Sequence, residues 1–352
     1  MRSLFGKKDV RWMVGVDFGA SSIKAVALKG RPGHYQLEAM ASVPTPRGSI
    51  VDHQLQDVAQ VVVALRQLRR QLNSRYGEVA TAVTGSSVTT KVILVPRSLS
   101  AEELENQVLI EAEQHIPFPL EEISLDYESL GVSPSHPERE SILLSAARTE
   151  SISTRLAALQ EAGWTTRVVD IGVHALARAV NALVAAEQAH SSLLGVVDIG
   201  AECLSFAVLE EGEVIHSRLQ NFGGAQFTRE LCKLTDMPEE QVEQAKVGNT
   251  LPEALRHDVE QQHITAILQH IRRNIQLFCS SSGNKPPAAI FLSGGGSQVP
   301  ELAPILEQEL SVPVLQPRLD RLFEGRAGPF PDGAAYLTAL GLALRSFTPC
   351  PT

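Results

Sequence analysis

The residues best placed to do chemistry come as two copies of one short pattern. The first is Asp17-Phe18-Gly19-Ala20-Ser21-Ser22, with Lys24 two positions on. The second is Asp198-Ile199-Gly200-Ala201. In each, an apolar run leads into the aspartate and an alternating apolar stretch follows, which reads as two strands joined by a tight turn. Such a turn can aim backbone N–H groups at an anion. Gly19 permits close approach, Ser21 and Ser22 offer hydroxyl donors, and Lys24 offers a point charge for a phosphate oxygen. Asp17 and Asp198 would repel phosphate directly, so their expected task is to hold Mg²⁺ through water. One copy alone reads equally well as a plain hairpin with Gly and Ser as turn formers. Two copies favour the chemical reading, because loops facing each other across a cleft can clamp a polyphosphate and its cation. The copies are unequal: Glu202 and Cys203 stand where the first has Ser21 and Ser22, and Ser205 where it has Lys24.

Two glycine clusters extend the pattern. Ala289-Ile290-Phe291-Leu292-Ser293 leads into Gly294, Gly295, Gly296 and Ser297, with a helix expected over 301–310. Glycines between a strand and a helix let a ligand reach the helix N-terminus, although ordinary turns use them too. Gly223 and Gly224 follow Phe222 and precede a helix carrying Glu230, whose carboxylate could hydrogen-bond a ribose. Nothing matches a G-x-S-x-G elbow, a Walker lysine motif or metal-ligand spacing. His115, just before Ile116-Pro117, reads as a surface or capping residue. No acid stands out as a base for a sugar hydroxyl or a water.

The elements that must position these loops follow from the periodicity. Each loop opens a β-meander, with third strands expected at 34–37 and 214–216. Val58, Val61, Val62, Leu65, Leu68 and Leu72 recur at helical spacing, as do Ile264, Ile267, Leu268, Ile271, Ile275 and Phe278. An Ala- and Val-rich helix over 170–186 is expected to cross between lobes. Residues 79–165 read as an inserted α/β module with strands at 79–84, 90–95 and 141–147. Its first helix starts at a Ser100–Glu103 capping box and stops near Ile116, since Pro117 and Pro119 follow. A second helix is expected over 154–162. The chain thus divides into a first lobe (1–78 and 166–192), the insertion (79–165) and a second lobe (193–352). Within the second lobe, 222–285 forms an outer part, and the C-terminal helix packs back toward the first lobe.

Bulk composition narrows the partners. The 352 residues are 43% apolar and 20% charged, with a net charge of -9, the balance of a globular protein with no nucleic-acid partner. Arg66, Arg69, Arg70 and Arg75 read as a solvated helix face. The four cysteines form no C-x-x-C pair, which suits a reducing cytoplasm. No run approaches the ~20 apolar residues of a membrane span, so no direct membrane insertion is expected.

The chain resembles the PilM family of type IV pilus assembly proteins, FtsA-related members of the actin-like ATPase superfamily. The likeness is carried by Glu111-Ala112-Glu113-Gln114-His115-Ile116-Pro117-Phe118-Pro119-Leu120-Glu121-Glu122, Leu125-Asp126-Tyr127, Ala146-Ala147-Arg148 and Phe222-Gly223-Gly224. Phe278-Cys279-Ser280-Ser281-Ser282 and Gly341-Leu342-Ala343-Leu344-Arg345-Ser346-Phe347 add to it. The resemblance implies an actin-like, RNase H-like duplicated fold with an inserted subdomain, and ATP with Mg²⁺ in the interlobe cleft. Asp17, Gly19, Ser21, Ser22 and Lys24 would form the first phosphate loop, and Asp198 and Gly200 the second. Gly294, Gly295, Gly296 and Ser297 would flank the adenosine, with Gly223, Gly224 and Glu230 toward the ribose or base. It further implies a partner, the cytoplasmic N-terminal tail of PilN, docked between the insertion and the first lobe, and indirectly PilO and other platform proteins. These would hold a cytoplasmic chain at the inner membrane in twitching motility. A charge at Phe118 is expected to damage the insertion or its groove. The degenerate second loop favours binding over hydrolysis and leaves self-assembly open. The alternatives are a sugar-kinase-like phosphotransferase and a filament-forming FtsA relative; the latter would want a basic amphipathic C-terminal helix.

Overall fold

The computed structural model describes residues 12–73, 76–133, 135–187, 193–235, 237–247, 250–283, 285–323 and 333–348. The first lobe opens with the meander β1 (Val14–Phe18), β2 (Ser22–Arg31) and β3 (His34–Pro44). A two-residue hairpin joins β4 (Ile50–Val51) to β5 (Gln54–Leu55). Asp57 then caps α1 (Val58–Leu72) by accepting from the Gln60 amide, and Val61, Leu65 and Leu68 turn inward as their spacing requires. β6 (Glu78–Val83) returns parallel to β1.

Next come β7 (Val88–Pro96), α2 (Ala101–His115), β8 (Ile123–Val132) and β9 (Arg139–Arg148). The expected capping box is present: Ser100 accepts from the Glu103 amide and Glu103 accepts from the Ser100 amide. His115 pairs with Glu111 at 3.2 Å. α3 (Thr149–Glu161), β10 (Thr165–Ile171) and α4 (Gly172–Glu187) complete the first lobe. Asp170 and Ile171 end a strand rather than begin the crossing helix, because β10 pairs in parallel with β6 as far as Ile171↔Val83.

Only 88–148 of the expected insertion forms a separate unit, the sheet β7-β9-β8 with α2 on one face. β6 belongs to the first-lobe sheet, where Ala80 and Thr81 pair with Gly15 and Val16. α3 covers that same sheet, with Ala158, Leu159 and Trp164 in one core with α1. Arg66 reaches Glu161, and Arg69 reaches the Ala162 carbonyl at 3.3 Å, so part of the basic face braces α1 to α3. Arg75 lies outside the described residues.

The second lobe runs β11 (Leu193–Ile199), β12 (Leu204–Glu210), β13 (Glu213–Gln220), α5 (Gly224–Thr235), α6 (Glu239–Val247), α7 (Glu253–Ser282) and β14 (Ala289–Ser293). It ends with α8 (Leu302–Leu310), β15 (Val314–Leu315), α9 (Leu319–Leu322) and α10 (Leu337–Ala343). The sheet order β13-β12-β11-β14-β15 repeats that of the first lobe, β3-β2-β1-β6-β10. In both, a meander adds two parallel strands beside its first strand. The doubled loop pattern is therefore the local trace of a doubled domain.

Between the sheets lies a helical layer. α4 and α10 share a core with Val26 and Leu28 of the first sheet and Val196, Ala207 and Leu209 of the second. The layer is thin because glycine allows it. A Cβ on Gly341 would sit 1.7 Å from the Ala175 carbonyl oxygen, and one on Gly15 would sit 2.0 Å from that of Ala339. Gly341→Ala must push α10 off α4, and overpacking of this kind costs about 1–3 kcal/mol. A clear drop in the thermal unfolding midpoint is expected; an unchanged midpoint would contradict this packing.

Candidate functional site

The two Asp-x-Gly turns sit at the same end of their sheets and line opposite walls of one cleft of about 1650 Å³. That exceeds the ~300–1,000 Å³ typical of small-molecule sites, so a nucleotide and hydrated ions would fit. On the first wall, Thr45 supports the turn from behind. Its hydroxyl donates to the Gly19 carbonyl at 2.7 Å and its amide to that of Ser21 at 3.0 Å. Lys24 lies under the turn, 3.2 Å from the Ser22 carbonyl and 3.9 Å from the Asp17 carboxylate. Ser21 is exposed to the cleft.

The second wall is built differently. Gly200 closes its turn by donating to the Cys203 carbonyl at 2.9 Å. The start of α5 donates into it, from the Gly224 amide to the Gly200 carbonyl at 3.0 Å and from the Ala225 amide to that of Ala201 at 2.7 Å. Gly223 is needed for this contact, since a Cβ there would lie 2.5 Å from both carbonyl oxygens. Gly294, at φ +82°, and Gly296 pack against Ile199 where no larger residue fits. Burial and neighbouring acids push the Cys203 thiol up to about 11, so it stays protonated. The second loop thus offers an acidic side chain, Glu202, and a neutral thiol where the first has two hydroxyls and a lysine.

Asp17 and Asp198 are held deep in the walls. Burial raises the proton affinity of both, Lys24 opposes it at Asp17, and the nearby Asp17 charge raises Asp198 further. Two desolvated carboxylates that repel each other fit a cation placed between them. Among the described residues, no group of three or more His, Cys, Asp or Glu forms a ready metal cage.

Of the residues expected from sequence, the cleft brings together Asp17, Gly19, Ser21, Ser22, Lys24, Asp198, Gly200, Gly224, Gly294, Gly295 and Gly296. Three stand elsewhere. Gly223 packs behind the second loop. Ser297 is buried, its hydroxyl donating to the Gly294 carbonyl at 2.7 Å within a 3₁₀ turn, and the helix after it starts at Leu302. Glu230 points to solvent and pairs with Lys233 at 2.7 Å. The polar groups facing the cleft there come instead from α6: Glu243 pairs with Lys246, and both bond the Thr228 hydroxyl. Glu239, Glu243 and Lys246 follow one helix face at i, i+4 and i+7, a signal present in the sequence. Phe118 lies with the α2-side core of the insertion, with Arg148 stacked over its ring at 5.2 Å.

Sequence reading also missed His53, Arg155 and His263. His53 lines the cleft, its Nε2 3.3 Å from Cys203 Sγ of the opposite wall. Arg155 is almost wholly buried behind the first loop, and burial lowers it to about 10. His263 lies between the rings of Phe222 and Phe227, 5.3 and 5.1 Å away.

A repeated meander lobe, a helical layer between two sheets and paired loops across a cleft define the actin-like ATPase fold. The same fold occurs in the ethanolamine utilization protein EutJ of Carboxydothermus hydrogenoformans, 16% identical with a TM-score of 0.58 over 95% of this chain and 89% of that one. MreB5 of Spiroplasma citri, solved with ADP, is 12% identical with a TM-score of 0.50 over 94% of each chain. The model of the type IV pilus assembly protein PilM matches residues 15–347, and the chain belongs to that family. A solved PilM–PilN type IV pilus biogenesis complex contains a chain 27% identical to this one, with a TM-score of 0.82 over 96% of this chain and 99% of that one. Among the described residues, no helix is long and apolar enough to cross a membrane.

Burial holds the His263 imidazole down to about 4, below its ordinary 6.5. The unfolded chain takes up this proton first, so stability from the site is full above pH ~6.5 and falls as pH drops toward ~4. His263→Phe should keep the ring stack and remove this dependence. Relative to wild type it should gain up to about 3 kcal/mol between those limits. Parallel stability–pH curves for the two proteins would refute the burial of a neutral imidazole.

Proposed function

We propose that this type IV pilus assembly protein binds ATP with Mg²⁺ between its lobes and holds the cytoplasmic N-terminal tail of a PilN partner against its insertion. In this reading the state of one site biases the other. The observation that carries it is the pair of unequal loops on opposite walls of a single nucleotide-sized cleft. The first loop takes the phosphates through its amides, Ser21, Ser22 and Lys24. Asp17 and Asp198 hold the cation through water, and Gly294 to Gly296 with Glu243 and Lys246 border the nucleoside. The second loop has no hydroxyl pair and no lysine, which supports binding and conformational coupling over turnover.

The insertion supplies the partner surface. Its sheet buries Ile93, Ile142, Leu144 and Ala146 against α2. The opposite face is open, with Val92 47% and Leu94 36% exposed. Val92, Leu143 and Glu128 stand in one row across the three strands on that face. Glu128 lies near enough to His174 and Arg178 of α4 to add a small electrostatic influence on both. Alternating apolar side chains beside charged groups suit an extended peptide. The likeness to the PilM–PilN complex supports the choice of occupant and would place the chain at the inner membrane through that partner. A sugar-kinase-like reaction would need a base over an acceptor hydroxyl, and the cleft walls favour no residue for that role.

Calorimetry tests both halves. Asp17→Ala should lower affinity for Mg-ATP at least about tenfold, since about 1.4 kcal/mol is lost with one such contact, and should weaken its metal dependence. Binding with unchanged metal dependence would remove Asp17 from the site. Val92→Glu, at an exposed position, should leave the melting temperature within a few degrees and abolish binding of a peptide of the PilN amino terminus. Retained peptide binding would move the partner off this face.

A further inference from the structure

The insertion joins the first lobe through a narrow neck. The chain leaves through residues 84–88 and returns through Arg148 into α3. The passages are tied to each other, the Arg148 amide donating to the Ser87 carbonyl at 3.0 Å. Both also converge on one residue outside the insertion, His53. On the way out, Gly85 lies so close under the imidazole that a Cβ there would stand 3.0 Å from its Cδ2. On the way back, Arg155 of α3 donates from Nη2 to the His53 carbonyl and from Nη1 to that of Ser151 at 2.7 Å. Ser151 adds a second tie, its hydroxyl donating to the Gln54 side chain at 2.5 Å.

The hairpin held in this way is not relaxed. Its turn residues Asp52 and His53 have φ of 47° and 61°, the left-handed region that a two-residue β-turn usually fills with Asn and Gly. From there the His53 ring crosses the cleft to Cys203 in the second loop, 3.3 Å away. One residue therefore touches the neck of the insertion on both sides and the opposite lobe at its tip.

Arg155 holds this arrangement at a cost. Its hydrogen-bond acceptors are two backbone carbonyls, its Nε has none, and the side chain is nearly inaccessible. An apolar side chain of similar length would pack there without desolvating a cation. The guanidinium also lies 5.9 Å from the Phe18 ring, so it backs the first loop as well as the hairpin.

We propose that Arg155 is a positioning residue that, through His53, ties the tilt of the insertion to closure of the nucleotide cleft. The proposal rests on the reading above, that nucleotide occupies the cleft and a partner peptide the insertion. Its first test needs neither ligand. Amide hydrogen exchange should speed up in Arg155→Met at Gln56 and Asp57, which bond the Ser49 carbonyl, and at Gly200. The thermal midpoint should stay level or rise. Unchanged exchange at these amides overturns the proposal.

The second test is a ratio. Affinity for a synthetic peptide of the PilN amino terminus is measured with and without Mg²⁺ and a non-hydrolysable ATP analogue. Nucleotide should change it at least about fivefold in wild type. In Arg155→Met the change should fall below about twofold while each ligand alone binds within about threefold of wild type. Arg155→Lys, which keeps one donor toward the His53 carbonyl, should recover part of it. General destabilisation would not move this ratio, and a ratio that survives in Arg155→Met, or is absent in wild type, sinks the proposal. If wild type binds neither ligand, the functional reading fails instead, and the exchange comparison still decides the role of Arg155.

Discussion

Two half-buried carboxylates on facing walls of one cleft set the terms for the rest of the molecule. Taking an ionised carboxylate out of water costs several kcal/mol unless a partner offsets it. Lys24, 3.9 Å from Asp17, offsets part of that at both carboxylates, and Asp198 has the Ser293 hydroxyl besides but a repelling neighbour in Asp17. The cleft is therefore electrostatically incomplete as built. A cation carrying a polyphosphate would supply charge to both walls at once, and closing the lobes would then be favoured only with the ligand in place. The lobes share the α4–α10 layer, where Gly15 and Gly341 let backbone rest on backbone.

The walls divide the work unequally. The first loop spends few of its own polar groups on itself: Thr45 supports it from outside and Ser21 faces the cleft. The second is already satisfied by the first turn of α5, which donates to Gly200 and Ala201. A helix N-terminus that in other settings would meet an anion is here turned on a neighbouring turn. The protonated Cys203 thiol adds no charge.

Much of this was legible in the sequence, and the failures share a cause. The meanders announce themselves through local alternation around Asp17 and Asp198. The capping box at Ser100 and the stop at Ile116 are equally local. β8 was not foreseen because most of its side chains are exposed on an edge strand, so no alternation marks it. The membership of β6 and α3 in the first lobe was invisible because parallel pairing with β1 and β10 joins segments far apart in sequence. Glu230 stands away from the cleft because the rotational phase of α5 is fixed by packing against α6 and α7, which one sequence does not reveal. Arg155 reads as an ordinary polar helix residue, and only the fold shows it buried.

The arrangement at the neck also explains how so slight a contact can matter. Allosteric couplings are typically about 1–3 kcal/mol, and a single hydrogen bond contributes about 0.5–1.5 kcal/mol net. One contact such as that between His53 and Cys203 is therefore of the right size to make the cleft and the insertion depend on each other. It need not be strong. It must be made in one lobe angle and lost in another, and its two partners must belong to bodies that move separately. Cys203 belongs to the second lobe, while His53 is clamped to the neck by Gly85 and Arg155. Because both chain passages of the insertion bear on that clamp, a peptide that tilts the insertion has to displace the hairpin or strain it. A hairpin already bent into the left-handed region at Asp52 and His53 has little freedom to absorb the strain locally, and so passes it across the cleft.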